Sequence, residues 1–220
     1  MKYFVFSLDD GTIYDEKVIK IFDKYQIHAT FNLNSGLDDF VWYLNGFPIR
    51  RLILKDHIEL YKNHEVASHT LTHPYLSSLD EKEIIRQVNE DITNLENIFH
   101  RKITSFATPF EDSGMRETEI IKNNCPISNI RISQIDESFM VPQDVFNIKI
   151  TALDINHAIE LLPKFINMEE GAFIYAGHSY DFEVNNTYDK LEELIQTVLS
   201  HDDIKIVTMS ELIKCIKKDF

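Results

Sequence analysis

Tyr3-Phe4-Val5-Phe6-Ser7-Leu8-Asp9-Asp10-Gly11 is an almost unbroken apolar run that ends on two carboxylates and a glycine. A short apolar run bounded by turn residues suits a strand covered on both faces, as strands are in a parallel sheet. Such a strand carries the residues after it to the rim of the sheet. Two aspartates at that place are ambiguous. Aspartate also serves as a turn residue or helix cap at strand-to-helix junctions.

The same alternation repeats along the chain. Residues 16–25 place Val18, Ile21, Phe22 and Tyr25 on one helical stripe. Residues 29–33 read as a second strand. Residues 37–51 are irregular and hold Trp42 beside Phe40, Tyr43 and Phe47, as a loop covering a site or as ordinary packing. Residues 53–61 read as a helix and residues 65–68 as a strand. Ser78, answered by Glu81, matches a capping box. The helix it predicts carries Ile84, Ile85, Val88, Ile92, Leu95 and Phe99 at helical spacing. A strand over 103–107, a helix over 115–123, strands over 127–132 and 146–150, and a helix over 158–166 follow. Pro163 predicts a kink or early break in that last helix. A strand over 172–176, a helix over Tyr188–Leu199, a strand over 204–207 and a helix capped by Ser210 complete the chain. Repeated strand–helix units imply parallel strands with helical crossovers, and seven or eight of them fit a closed barrel.

Ser68-His69-Thr70-Leu71-Thr72-His73-Pro74 sets two histidines four apart. On a helical turn those side chains share a face, and both imidazoles can converge on one metal ion. With nine histidines in the chain, the pair alone is weak evidence. Its position is stronger evidence. Asp9-Asp10, His69, Thr108-Pro109 and His178 all follow the C-terminal ends of predicted strands, the face that holds active sites in barrels of parallel strands.

The chain has 220 residues, 44% hydrophobic and 26% charged, with no linker or low-complexity tract, and reads as one domain over 1–220. A formal net charge of −14 argues against nucleic acid as a partner. No stretch approaches the roughly 20 apolar residues of a membrane span. No leader is visible at the start, so a cytoplasmic protein is expected, or a secreted one if a leader has been removed. Cys125 and Cys215 form no CxxC, so a disulfide framework is not expected. Oligomeric state is open.

These residues resemble the polysaccharide deacetylases, the NodB-homology group also called carbohydrate esterase family 4. Ser7-Leu8-Asp9-Asp10-Gly11 is similar to the T-F-D-D-G of that family, and Ser68 to Pro74 to its H-[ST]-x-x-H-P. Phe106-Ala107-Thr108-Pro109-Phe110 resembles its third motif, and Gly177-His178-Ser179-Tyr180-Asp181 a late histidine motif. The resemblance spans about residues 3–213. It implies an α/β fold, a distorted (β/α) barrel with about seven parallel strands. It implies a divalent metal held by Asp10, His69 and His73, zinc first, with cobalt or nickel as alternatives. It assigns Asp9 as general base and His178 as general acid, and places Pro109, Phe110 and Tyr180 near substrate, the Phe110 N–H facing an oxyanion. The implied reaction is hydrolysis of the acetamide on an N-acetylated sugar or glycan. The sequence departs from the family where an arginine is usual, at Ala107, and where glycine is usual, at Glu111. The fourth motif, which supports the acid histidine, has no clear match, and Asp154 is a candidate substitute. These departures leave open an inactive saccharide-binding homologue, or a hydrolase of another small linear or cyclic amide.

Overall fold

The computed structural model describes residues 1–111 and 114–216. In chain order the elements are β1 (Lys2–Asp9), α1 (Asp15–Lys24), β2 (Thr30–Leu33), β3 (Val41–Leu44), β4 (Phe47–Arg50), β5 (Glu65–Ser68), α2 (Glu81–Phe99), β6 (Ser105–Ala107), α3 (Met115–Asn124), β7 (Asn129–Ile135), β8 (Ile148–Ile150), α4 (Ile155–Ile166), β9 (Gly171–His178), α5 (Ser179–Val184), α6 (Tyr188–Leu199), β10 (Ile204–Ile206) and α7 (Met209–Ile216).

Seven strands form the distorted barrel. β1 pairs parallel with β2 at its C-terminal end, and the path continues through β5, β6, β7 and β8. On its other side β1 pairs with β9 along its whole length, from Lys2 opposite Gly171 to Asp9 opposite His178. The ring is joined between the segment after β8 and β9: Thr151 N–H donates to Ile174 C=O at 2.7 Å, and Ala176 N–H to Ala152 C=O at 2.9 Å. β10 pairs with Lys2–Phe4 only, below the point where β2 joins.

The first apolar run is buried at every one of its eight positions, as expected for the central strand of a parallel sheet. Its two faces serve two clusters. Phe4, Phe6 and Leu8 pack with Phe22, Phe31 and Phe173, while Tyr3 and Val5 pack with Ile148, Ile150, Ile174 and the apolar stripe of α7. Phe4 stacks on Phe173 with centroids 4.8 Å apart. Each such fully buried side chain contributes about 1.5–3 kcal/mol of transfer free energy. The register is thereby fixed, because a one-residue slip would exchange the two faces. Asp9 and Asp10 then arrive at the barrel mouth without freedom to shift along the strand.

Several expectations need correction. Residues 53–61 form two short 3₁₀ turns, Leu54–Asp56 and Ile58–Tyr61, rather than one helix. Residues 41–50 form an antiparallel hairpin turning at Asn45-Gly46, both with positive φ (51° and 82°), the backbone of a type I′ turn. The N-cap of α2 is Asp80, which accepts from Glu83 N–H; Ser78 instead bonds the Tyr75 carbonyl one turn earlier. Helix α4 neither breaks nor stops at Pro163 and runs on to Ile166. Asp154 is its N-cap, accepting from Asn156 and His157 N–H, so it does not support His178. Ser210 lies inside α7 and donates its N–H to Glu65, while Thr208 and Glu211 bond reciprocally at the helix start. Asp112, next to Glu111, lies outside the described residues.

Candidate active site

Asp9 is the last residue of β1, and Asp10 leaves the strand with φ 85°. That left-handed backbone is strained for a residue with a Cβ. It breaks strand alternation, so both carboxylates face one cleft. Asn32 on β2 fixes the turn: its amide donates to Asp9 Oδ1 at 2.7 Å and to Ser7 Oγ at 2.9 Å, and its carbonyl accepts the Asp10 N–H.

His69 and His73 do not lie on a helical turn, contrary to the spacing argument. They sit in the loop after β5, where Thr70 and His73 both take positive φ (70° and 53°). The loop folds back so that the two rings meet edge to face, 4.9 Å apart. Thr70 Oγ1 accepts the His73 N–H, and Asn34 donates to the carbonyls of His69 and Thr70. His69 Nδ1 lies 2.9 Å from the Ala107 carbonyl. It must donate there, which leaves Nε2 unprotonated and aimed into the cleft. Burial holds His69 down to about 4, so it stays neutral across the physiological range.

Asp10, His69 and His73 each place one donor atom within 4.8 Å of the others. A tetrahedral zinc with bonds near 2.0–2.1 Å separates its ligand atoms by roughly 3.4 Å. The His73 Nε2 to Asp10 Oδ1 distance is already 3.5 Å. One ionised carboxylate and two neutral imidazoles, one of them locked by a carbonyl, are a donor set that fits a divalent cation of the zinc type.

Each flanking group has its own partner. The position paired with Ala107 across β6 and β7 is Arg131. Its guanidinium, almost fully buried, donates through Nη2 to Asp9 Oδ1 at 2.6 Å and Oδ2 at 2.7 Å. The arginine missing from position 107 is thus supplied by the adjacent strand. Burial pushes the Asp9 carboxyl up, but Arg131, His69 and His178 outweigh it and hold the group below its ordinary value. Burial likewise opposes the ionisation of Asp10, and Arg51 overrides it. Arg51 Nη2 donates to Asp10 Oδ1 at 2.8 Å, and Nη1 reaches Asn34 Oδ1 and the Asp10 carbonyl.

His178 ends β9 directly opposite Asp9. Its Nδ1 lies 2.9 Å from Asp181 Oδ2 on α5, and its Nε2 lies 3.8 Å from Asp10 Oδ2. Burial lowers its pKa, but the Asp181 hydrogen bond and the Asp10 charge raise it to about 9. A cation beside Asp10 would oppose that rise. Asp181 is thus the carboxylate that holds the His178 ring from behind.

The cleft over these groups has a volume of about 820 Å³. Tyr180 lines it, stacked 4.6 Å from the His178 ring, and so does Phe110. Pro109 is buried and is not among the residues that line it. Trp42 and Phe40 line the cleft, Trp42 packing against Tyr180, Phe40 and the Arg51 guanidinium.

Arg51, Asp91, Arg131 and the role of Asp181 were not read from the sequence. Asp91 is fully buried on α2 and accepts from Ser35 N–H, Ser68 Oγ and His69 N–H, fixing the start of the histidine loop. A carboxylate one position before Ile92, within the apolar stripe, was its signal.

The polysaccharide deacetylase family model matches residues 1–124. An uncharacterised protein of Bacillus subtilis, YlxY, is 29% identical over 109 residues, which is 50% of this chain and only 31% of that protein's length. A family 4 acetyl xylan esterase from Clostridium thermocellum, solved with a cobalt ion, superposes with a TM-score of 0.68 at 16% identity, covering 97% of this chain and 91% of that one. A carbohydrate esterase family 4 pseudoenzyme from Bacillus anthracis superposes with a TM-score of 0.64 at 18% identity, covering 96% of this chain and 65% of that one. At those identities the superpositions establish the fold; with the family match over more than half of its residues, the chain belongs to the polysaccharide deacetylase family.

Proposed function

We propose that the protein is a metal-dependent hydrolase that removes the acetyl group from an N-acetylated sugar. The observation that carries this reading is the arrangement of two partnered groups around one three-residue donor set. Asp9, held by Arg131, and His178, held by Asp181, flank the convergence of Asp10, His69 and His73.

Asp10, His69 and His73 would hold the cation. When bound, a divalent cation lowers the pKa of a coordinated water toward about 7 and polarises a carbonyl oxygen. Asp9 stays ionised and fixed in position, and accepts one proton from the attacking water. The water oxygen bonds to the acetamide carbon. The C–N bond then breaks as His178 Nε2 delivers a proton to the amine nitrogen. Water and the acetamide give acetate and an ammonium group on the sugar. The proton donor matters because an unprotonated amide nitrogen leaves poorly, and such groups contribute about 10²–10⁴-fold. Asp181 orients His178 so that Nε2 faces the cleft.

The test is acetate release from N-acetylglucosamine oligomers, with and without chelator. Release that stops with chelator and returns with zinc or cobalt supports the proposal. Chelator-insensitive release, or full activity in Asp9→Asn, contradicts it. Glu111, in a place where the family has glycine, favours a second reading, a saccharide-binding protein without turnover. That reading predicts oligomer binding and no acetate from a broad panel of acetamides.

A further inference from the structure

We propose that Glu111 sets a charge filter at the mouth of the cleft, admitting glycans that are uncharged or carry an ammonium group and disfavouring those that carry carboxylate or phosphate. The inference rests on the deacetylase reading, whose substrate class it narrows.

Two aromatic arms diverge from the candidate centre. On one side His73 meets Phe110 edge on at 4.4 Å, and Phe110 stacks face to face on Tyr75 at 3.9 Å and 8°. On the other, His178 stacks on Tyr180, Tyr180 meets the edge of Trp42 at 5.6 Å, and Trp42 stacks on Phe40 at 6.2 Å and 23°. The outermost rings, Tyr75 and Phe40, are 55% and 50% exposed. Exposed aromatic faces on both sides of a cleft suit the apolar C–H faces of sugar rings. A cleft of about 820 Å³ with arms on both sides has room for more than a single acetamide-bearing ring.

Of the charged side chains between the arms, Asp9, Asp10 and Arg51 are buried on the floor. Glu111 follows Phe110 directly, is exposed and lines the cleft with Asp9 and Asp10. Among the described lining residues Arg51 is the single lysine or arginine, and it is committed to Asp10 and Asn34. Asp9 is matched by Arg131 beneath the floor. Among the described lining residues Glu111 is therefore the one exposed carboxylate, placed to meet an incoming group first. Away from the candidate metal centre and His178, a ligand carboxylate finds no uncommitted lysine or arginine among the described lining residues, and like charges brought together at an interface are penalised. An ammonium on a neighbouring ring would find Glu111 as its counter-charge. A glycan that has already lost one acetyl group carries such an ammonium, so the first product would be a good second substrate.

The test compares oligomers of one length in three forms: fully N-acetylated, with a single free amine, and with a lactyl ether carboxylate. Binding is measured by calorimetry and acetate release by a coupled assay, on zinc-loaded wild type, Glu111→Gln and Glu111→Lys, at low and high salt. At low salt the carboxylate oligomer should bind wild type about tenfold more weakly than the neutral one. Salt should narrow that gap, Glu111→Gln should narrow it further, and Glu111→Lys should reverse it. The amine-bearing oligomer should bind at least as well as the neutral one and lose that advantage in both variants. The proposal is overturned if the carboxylate oligomer binds wild type within about twofold of the neutral one, or if the gap persists in Glu111→Lys. The expected binding order with no acetate from any oligomer would support the filter and sink the hydrolase. Acetate from all three at equal efficiency would do the opposite.

Discussion

Arg131 Nη2 donates to both oxygens of Asp9, joining residues 122 apart in the chain across the floor of the cleft. The pair is almost completely buried. A buried pair is costly to break from one side, because the remaining charge is left uncompensated. Its role is to keep the carboxylate ionised and its oxygens fixed.

Arg131→Met should therefore destabilise the fold by about 3–5 kcal/mol and lower acetate release by about a hundredfold or more. Arg131→Lys should restore part of both. Thermal unfolding and initial rates on the same preparations check this. A stable, fully active Arg131→Met protein would show that Asp9 does not need its partner.

His178 should titrate high in the metal-free protein, near 9, because Asp181 and Asp10 favour its charged form over the burial that opposes it. With the folded pKa above the unfolded one of about 6.5, its contribution to stability is fully present below that value and is lost as pH rises through about 9. Asp181→Asn removes the largest raising partner, so the His178 titration, followed by NMR, should move to lower pH. The basic limb of the rate profile should move the same way. A titration unmoved by Asp181→Asn would remove Asp181 from the account.

Asp15 is a buried carboxyl behind the site, accepting from Tyr61 Oη at 2.7 Å, and burial raises it to about 7. The native state thus holds a proton that the unfolded chain releases near 3.8. The contribution of Asp15 to stability should therefore fall as pH rises from about 4 to about 7. Asp15→Asn should flatten that slope and leave the protein more stable than wild type above neutrality. Urea unfolding at pH 5 and pH 8 distinguishes the outcomes, and identical slopes in both proteins would contradict the assignment.

Arg51 ties Asp10 to Asn34, and Asn34 in turn holds the carbonyls of His69 and Thr70. Arg51→Met should free Asp10 to rotate and disorder the histidine loop. The expected readout is loss of the ring contact between His69 and His73 in NMR spectra, with broadened resonances for residues 69–73. Unchanged spectra would show that the loop holds itself.

The parts of the site legible in the sequence were those delivered by strand ends. Asp9-Asp10 and His178 follow long apolar runs, and a buried strand has little freedom in where it places its last residue. The Tyr188–Leu199 helix is found at its expected limits because one amphipathic stripe sets both ends. What escaped depended on contacts between distant segments. Nothing local in Asn129–Ile135 says that Arg131 points at Asp9; only the register of β6 against β7 does. Arg51 follows a hairpin whose short strands carry no clear alternation, although Asn45-Gly46 between apolar residues signals the turn. The H-x-x-x-H spacing was sound as a pairing and wrong as a helix. Two positive-φ residues, rather than a helical turn, bring the rings together.

The most direct test is equilibrium dialysis of zinc against the chelator-stripped protein, with Asp10→Ala and His69→Ala alongside. The account predicts one equivalent bound by wild type and a loss of about a hundredfold or more in affinity in each variant, with thermal unfolding of wild type alone raised by excess zinc. Zinc bound equally well by all three proteins, or by none, would contradict it.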